Sequence, residues 1–201
     1  MGTLSTGNYT VGGISLFFSA TVADASLLAT IPGFSGKGSA FRTATLQHNL
    51  GNIVTSEITP DVTYLEHFVA DKGRQKKNKI SANMTNISIP FTFDEMSSTN
   101  LQRFFLASVV ATTPGTKSLA VFEKALQEGS AQLYFNTDVG KDMIYFIPKC
   151  ILRPDGALGG GDGSEWWSGP MVLDILHYDT SHWASKPYGF VYASVLTDSA
   201  A

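Results

Sequence analysis

At 201 residues the chain is long enough to bury a sizeable core and too short for two comfortable domains, so a single domain with long loops or arms is expected. A composition of 43% hydrophobic and 15% charged residues, with 19 Gly and 8 Pro, excludes a disordered chain and a membrane-embedded one. The formal net charge of −3 argues against a surface that is basic throughout.

Residues 1–13 are small, polar and glycine-bearing, without a periodicity that would bury them, and read as an N-terminal arm. Ile14 to Val22 is apolar, aromatic and β-branched and reads as a strand, with Ala23 to Leu28 a helical turn or a continuation. No Lys or Arg precedes the apolar region Ile14 to Ile31, which Asp24 interrupts, so neither a secretory signal nor a membrane segment is expected. Without secretion, the Asn-x-Ser/Thr triplets at Asn8, Asn83 and Asn86 are ordinary polar positions. Pro32 to Ser39 is turn chemistry; Phe41 to Leu50 and Ile53 to Phe68 are strand-like, with a kink or edge position at Pro60-Asp61.

Asp71 to Lys79 is the one dense charge run, read as an exposed loop or hairpin. Beyond it, Ile80, Ala82 and Met84 share one parity and Ile87, Ile89, Phe91 and Phe93 the other, so the period-two pattern changes phase, as a β-bulge near Thr85-Asn86 would produce. At ~3.3 Å per residue, Ile80 to Phe93 would reach roughly 45 Å, which predicts a strand that bends sharply or projects beyond its own domain. Asp94 or Ser97 caps a predicted helix with Leu101, Phe104, Phe105 and Ser108 on the face that packs against a sheet. Thr113-Pro114-Gly115 makes a turn, and Ala131 to Asn136, Met143 to Leu152, Met171 to Tyr178 and Tyr188 to Leu196 complete the predicted strands. Many strands against one helix give a mostly β fold, a sandwich or barrel-like domain over 14–196 followed by a C-terminal tail, 197–201.

Motifs for chemistry fail on residues their mechanisms require. Gly36-Lys37 resembles the end of a phosphate-binding loop, but Gly38 stands where a metal-binding Ser or Thr belongs, and Lys37 spoils a nucleophile elbow at Gly33 to Gly36. His177 and His182 beside Asp174 and Asp179 lack metal-ligand spacing, and no two carboxylates are placed across a cleft by sequence. The lone Cys150 sits in an apolar strand context, as a buried residue of a protein made in a reducing cytoplasm. Trp166, Trp167 and Trp183 are read as packing residues, with stacking on a sugar as the alternative. No enzyme, cofactor or metal is expected. Lys72 to Lys79 holds five of the 14 cationic residues, leaving nine against 17 acids and a balance of −8 elsewhere. That asymmetry disfavours duplex binding and suits head-to-tail association of copies.

The order of Gly13 to Phe18, Leu50 to Ile53, Leu65 to Phe68 with the basic run after it, the alternating strand Lys79 to Asp94, Asn100 to Leu106, Leu152 to Gly156 and Trp166 to Tyr178 resembles the tail tube proteins of long-tailed bacteriophages. The resemblance implies a virion protein, made in the host cytoplasm, whose hexameric rings stack into a hollow tube that delivers DNA. It implies further contacts with tape measure, terminator and baseplate proteins. It also implies inter-subunit contacts for the arm, for Phe34 and Phe41 at the Gly33-to-Phe41 loop, and for Lys72, Arg74, Lys76, Lys77 and Lys79. A tail-completion, adaptor or baseplate hub ring is the alternative within that class. A carbohydrate-binding β-sandwich module is the alternative outside it.

Overall fold

The computed structural model describes residues 11–22, 48–113, 116–139, 143–160, 166–180 and 183–193. Within them the chain is mostly β, with one helix and antiparallel pairing throughout. The strands are β1 (Val11–Ser19), β2 (His48–Asn49), β3 (Ile53–Ser56), β4 (Thr59–Asp71), β5 (Arg74–Phe93), β6 (Ser108–Thr113), β7 (Thr116–Ala120), β8 (Gln127–Val139), β9 (Met143–Pro154), β10 (Gly169–Ile175) and β11 (Phe190–Ala193); α1 is Ser98–Phe104. Val11 to Gly13, read from sequence as part of the arm, belong to β1 and pair with β8. The remainder of the arm, Phe34, Phe41, the Gly33-to-Gly38 motifs, His182 and the C-terminal tail lie outside the described residues.

One nine-stranded sheet runs β2-β1-β8-β9-β10-β5-β3, with β4 added to β5 and β11 to β9. Its two extreme strands, β2 and β3, are joined by only Leu50, Gly51 and Asn52. Four steps of extended chain span at most about 14 Å, whereas seven strands about 4.8 Å apart would lie roughly 29 Å across if flat. The sheet therefore curls upon itself into a barrel-like wrap, and helix α1 lies at the seam. There Asn100 donates from Nδ2 to the Leu50 and Glu95 carbonyls at 2.7 and 3.0 Å, and Asn52 donates to Asp94 at 2.6 Å.

The concave face holds the main core: Leu16 and Phe18 from β1, Ile89, Phe91 and Phe93 from β5, Leu133 from β8, Ile147 and Leu152 from β9, and Leu173 from β10, with Phe104 of α1 packed edge-on against Phe93. Strand β9 is buried on both faces from Ile144 to Ile147, as the apolar run Met143 to Ile147 requires of a central strand, with Lys149 as its polar interruption. Its outer face carries Phe146, on which Trp183 stacks at 5.5 Å and 3° with Phe190 beside it. The predicted cap is observed at Ser97, whose side chain accepts from the Asn100 amide. Pro60 occupies an edge strand, one of the two positions expected for it. Two differences stand out. The β run predicted from Ile53 to Phe68 is divided at Glu57-Ile58 into β3 and β4. The β6–β7 hairpin was not anticipated, and Ser108, expected on the helix face, begins β6; Val109 and Val110 are adjacent and Leu119 is alone, so neither strand shows an apolar alternation to read.

Candidate assembly interface

The basic run is the tip of a long two-stranded ribbon. Lys72 and Gly73 form its two-residue turn, with φ of 49° and 76°, the left-handed pair that matches the twist of a tight hairpin. From that turn β4 and β5 pair continuously, Asp71 opposite Arg74 through to Thr59 opposite Ser88. Strand β5 thus begins six residues before the sequence-based start at Ile80 and runs for 20 residues, about 66 Å at ~3.3 Å each. Only its last seven residues, Ile87 to Phe93, also pair with β10. Among the described residues, nothing pairs with the outer side of β4, and nothing pairs with the side of residues 74–86 of β5 that faces away from β4. Within the described residues, both ribbon edges are open.

The predicted change of phase is present, displaced to Asn83. Tyr64 lies opposite Ala82 and Thr63 opposite Met84, so Asn83 is the extra residue of a bulge, and Asn78 is a second one between the partners of Phe68 and His67. Each bulge restores the phase that alternation alone would lose. Pro60, Val62, Tyr64, Glu66, Phe68 and Ala70 consequently share one face with Lys77, Ile80, Ala82, Thr85 and Ile87, the same face that continues into the core at Ile89, Phe91 and Phe93. Past the barrel that apolar face is uncovered: Tyr64 is 60%, Ile80 53% and Phe68 47% exposed. The opposite face is polar, with Asp61 and His67 across from Asn86 and Lys79, with Thr63 between them, and with Arg74 and Lys76 near the tip; Leu65 and Val69 are its exposed apolar members.

Ribbon electrostatics are local. Lys77 forms an ion pair with Glu66 and lies 5.9 Å from the Phe68 ring centroid, and the His67 ring bonds Asn78 at 2.7 Å. An exposed pair of this kind contributes ~0–1 kcal/mol and mainly fixes the side chains. Of the five cations singled out in the sequence, Lys72 is in the turn, Arg74, Lys76 and Lys79 share the polar face, and Lys77 alone is on the apolar face. Sequence reading missed the apolar half of the ribbon, Tyr64, Phe68 and Ile80 together. Its signal was the Lys-Gly dipeptide between two strand-like runs, which fixes the register and hence the shared face.

Other sequence candidates are dispersed. His177 is exposed with its ring edge on Tyr188, and Asp174 accepts from Arg153 Nε at 2.6 Å. Among the described residues, no three His, Cys, Asp or Glu side chains gather as metal ligands would. Cys150 is fully buried 3.5 Å from the Gly129 carbonyl, and that burial pushes its thiol well above the ordinary range. Trp183 packs in the interior as expected, whereas Trp166 is 88% exposed and Trp167 lies beside Gly160 on the surface. No described helix is long and apolar enough to cross a membrane. No protein-family model matches the chain, and no curated protein matches it either.

Proposed function

We propose that this chain is the repeating subunit of a bacteriophage tail tube, a virion protein without enzymatic activity or cofactor. The observation that carries the reading is the β4–β5 ribbon, two strands wide, open on both edges among the described residues, with its apolar face exposed. A lone hairpin is marginally stable in water, and an open strand edge is a template for another chain. The free edge of β4 in one copy pairs with the free edge of β5 in the next. Because the two surfaces differ, the contact is heterologous, and its repetition closes a ring if the rotation permits. Ribbons from a ring, expected to be a hexamer, form one continuous β-barrel without edges and so line a hollow tube.

The basic tip at Lys72, Arg74, Lys76 and Lys79 meets the acidic surplus of a stacked copy and fixes its register. The balance of −8 outside that run lets DNA pass without adhering, since phosphate binding relies on cations. Tape measure, terminator and baseplate proteins would meet the tube at its bore and ends in the virion, after synthesis in the host cytoplasm. Electron microscopy of the purified chain over rising concentration tests the proposal. Hollow tubes are expected; isolated rings that never stack would indicate the tail-completion or hub alternative. A monomer at every concentration would overturn both.

The exposure of Trp166 beside the Gly159–Ser168 bridge favours a second reading, a carbohydrate-binding surface. Glycan-array binding lost in Trp166→Ala, by a protein that stays monomeric, would replace the first reading with this one.

A further inference from the structure

Beside α1 lies a cavity of about 370 Å³, within the range of small-ligand sites. Its polar lining is Arg103, His48, Lys124, Gln102, Gln127 and Thr99, and its apolar lining comes largely from Leu106, Leu126 and Leu152. No Asp or Glu is among its described lining residues. Glu128, next in sequence to Gln127, is already paired with Lys149 at 3.3 Å.

Arg103 is the anomaly. Its guanidinium is held 5.1 Å above the centroid of Phe18, a core residue, and its Nη1 is buried with no hydrogen-bond partner. Burial draws its pKa down to about 10, with no anion among the described residues to oppose the shift, and it remains charged at neutral pH. Arg103 is half-buried, and a partly enclosed cation with no anion beside it among the described residues is unfavourable, while a buried polar atom such as Nη1 nearly always finds a partner in folded proteins. A guanidinium offers a planar fork of donors that fits a carboxylate with two parallel bonds. The apolar wall suits the methylene stem behind such a group, and Lys124 and His48 supply further donors.

We propose that this cavity is a carboxylate-binding socket in which Arg103 is the principal ligand-binding residue. The ligand is a carboxylate on a short apolar stem, either a free small acid or an Asp, Glu or terminal carboxylate borne by a neighbouring polypeptide. The proposal does not depend on the ribbon or on the tail-tube reading.

The test is thermal unfolding of the full chain in sodium succinate against sodium chloride of equal ionic strength, with sedimentation velocity on the same samples. At about ten times the dissociation constant, succinate is expected to raise Tm by roughly 3–5 °C over chloride. Arg103→Met should abolish that difference. If succinate also disperses assemblies that Arg103→Met fails to form, the natural carboxylate is borne by a polypeptide. If sedimentation is unchanged, it is a free acid. Should Arg103→Met not fold, Lys124→Met, at the cavity wall, is expected to reduce the succinate effect by at least half. Equal Tm in succinate and chloride for the wild-type protein, or a succinate effect that survives the substitution tested, overturns the proposal.

Discussion

Replacing Tyr64, Phe68 and Ile80 together by Thr removes the apolar face of the ribbon while keeping residues that favour strands. These side chains are 60%, 47% and 53% exposed, so about half of each remains to be buried on association. Full burial of a large apolar side chain is worth ~1.5–3 kcal/mol, which leaves about 1 kcal/mol for each and about 3 kcal/mol for the three. At 1.4 kcal/mol per factor of ten, the association constant of each subunit contact should fall by about 10²-fold. The critical concentration for assembly, measured by light scattering and pelleting, should rise in proportion. The monomer should lose little, because the β4–β5 ladder is made by backbone groups and the substituted side chains lie outside the main core. A folded triple variant that assembles at the wild-type concentration would refute burial of this face between copies. A collapse of monomer stability would show instead that the face already stabilises the isolated chain.

Other consequences concern the barrel. Trp183→Ala removes a fully buried indole stacked on Phe146 and beside Phe190, and should cost about 3–5 kcal/mol; a loss below about 1 kcal/mol in urea unfolding would contradict that packing. The Cys150 thiol is raised by burial, and Tyr145 is raised to about 12, first by burial and then by Cys150. Both groups are neutral in either state below about pH 8.5; above that the unfolded chain releases its protons first. Their contribution is therefore full at neutral pH and is lost as pH climbs from about 9 toward 12. Stability measured at pH 8 and pH 10 should fall more in the wild-type protein than in Cys150→Ala, and equal falls would exclude the thiol. By the same argument, Cys150 in the folded protein should not react with a thiol reagent at pH 8, and fast labelling without unfolding would refute its burial.

Local chemistry made some of this architecture legible. Ser97 announced the helix because a cap needs only its own side chain and an amide three residues on. Strand β9 announced itself by the apolar run Met143 to Ile147, resumed at Cys150 to Leu152, and the phase change in β5 disclosed a bulge to within a few residues. Charge concealed the rest. Arg74 to Lys79 contains no apolar residue, so nothing in its pattern marks it as strand, and its conformation follows from pairing with the apolar Phe68 to Ala70 stretch across the turn. The order of strands was not readable either, since it depends on contacts such as β1 with β8, more than a hundred residues apart. Arg103 looked like an ordinary helix residue; that its guanidinium lies over Phe18 with Nη1 buried follows only from where β1 and Gln127 arrive.

Strand β5 belongs at once to the projecting ribbon and to the wall of the barrel, without a break between them. Mechanically it is a beam clamped at one end, held by β10 on one side and β3 on the other, with α1 starting five residues past the clamp. A load applied at Gly73 is therefore delivered as shear along Ile87 to Phe93, the geometry in which many backbone hydrogen bonds resist together instead of opening in turn. Strain imposed on the ribbon would pass into the barrel, and from there to whatever the barrel touches.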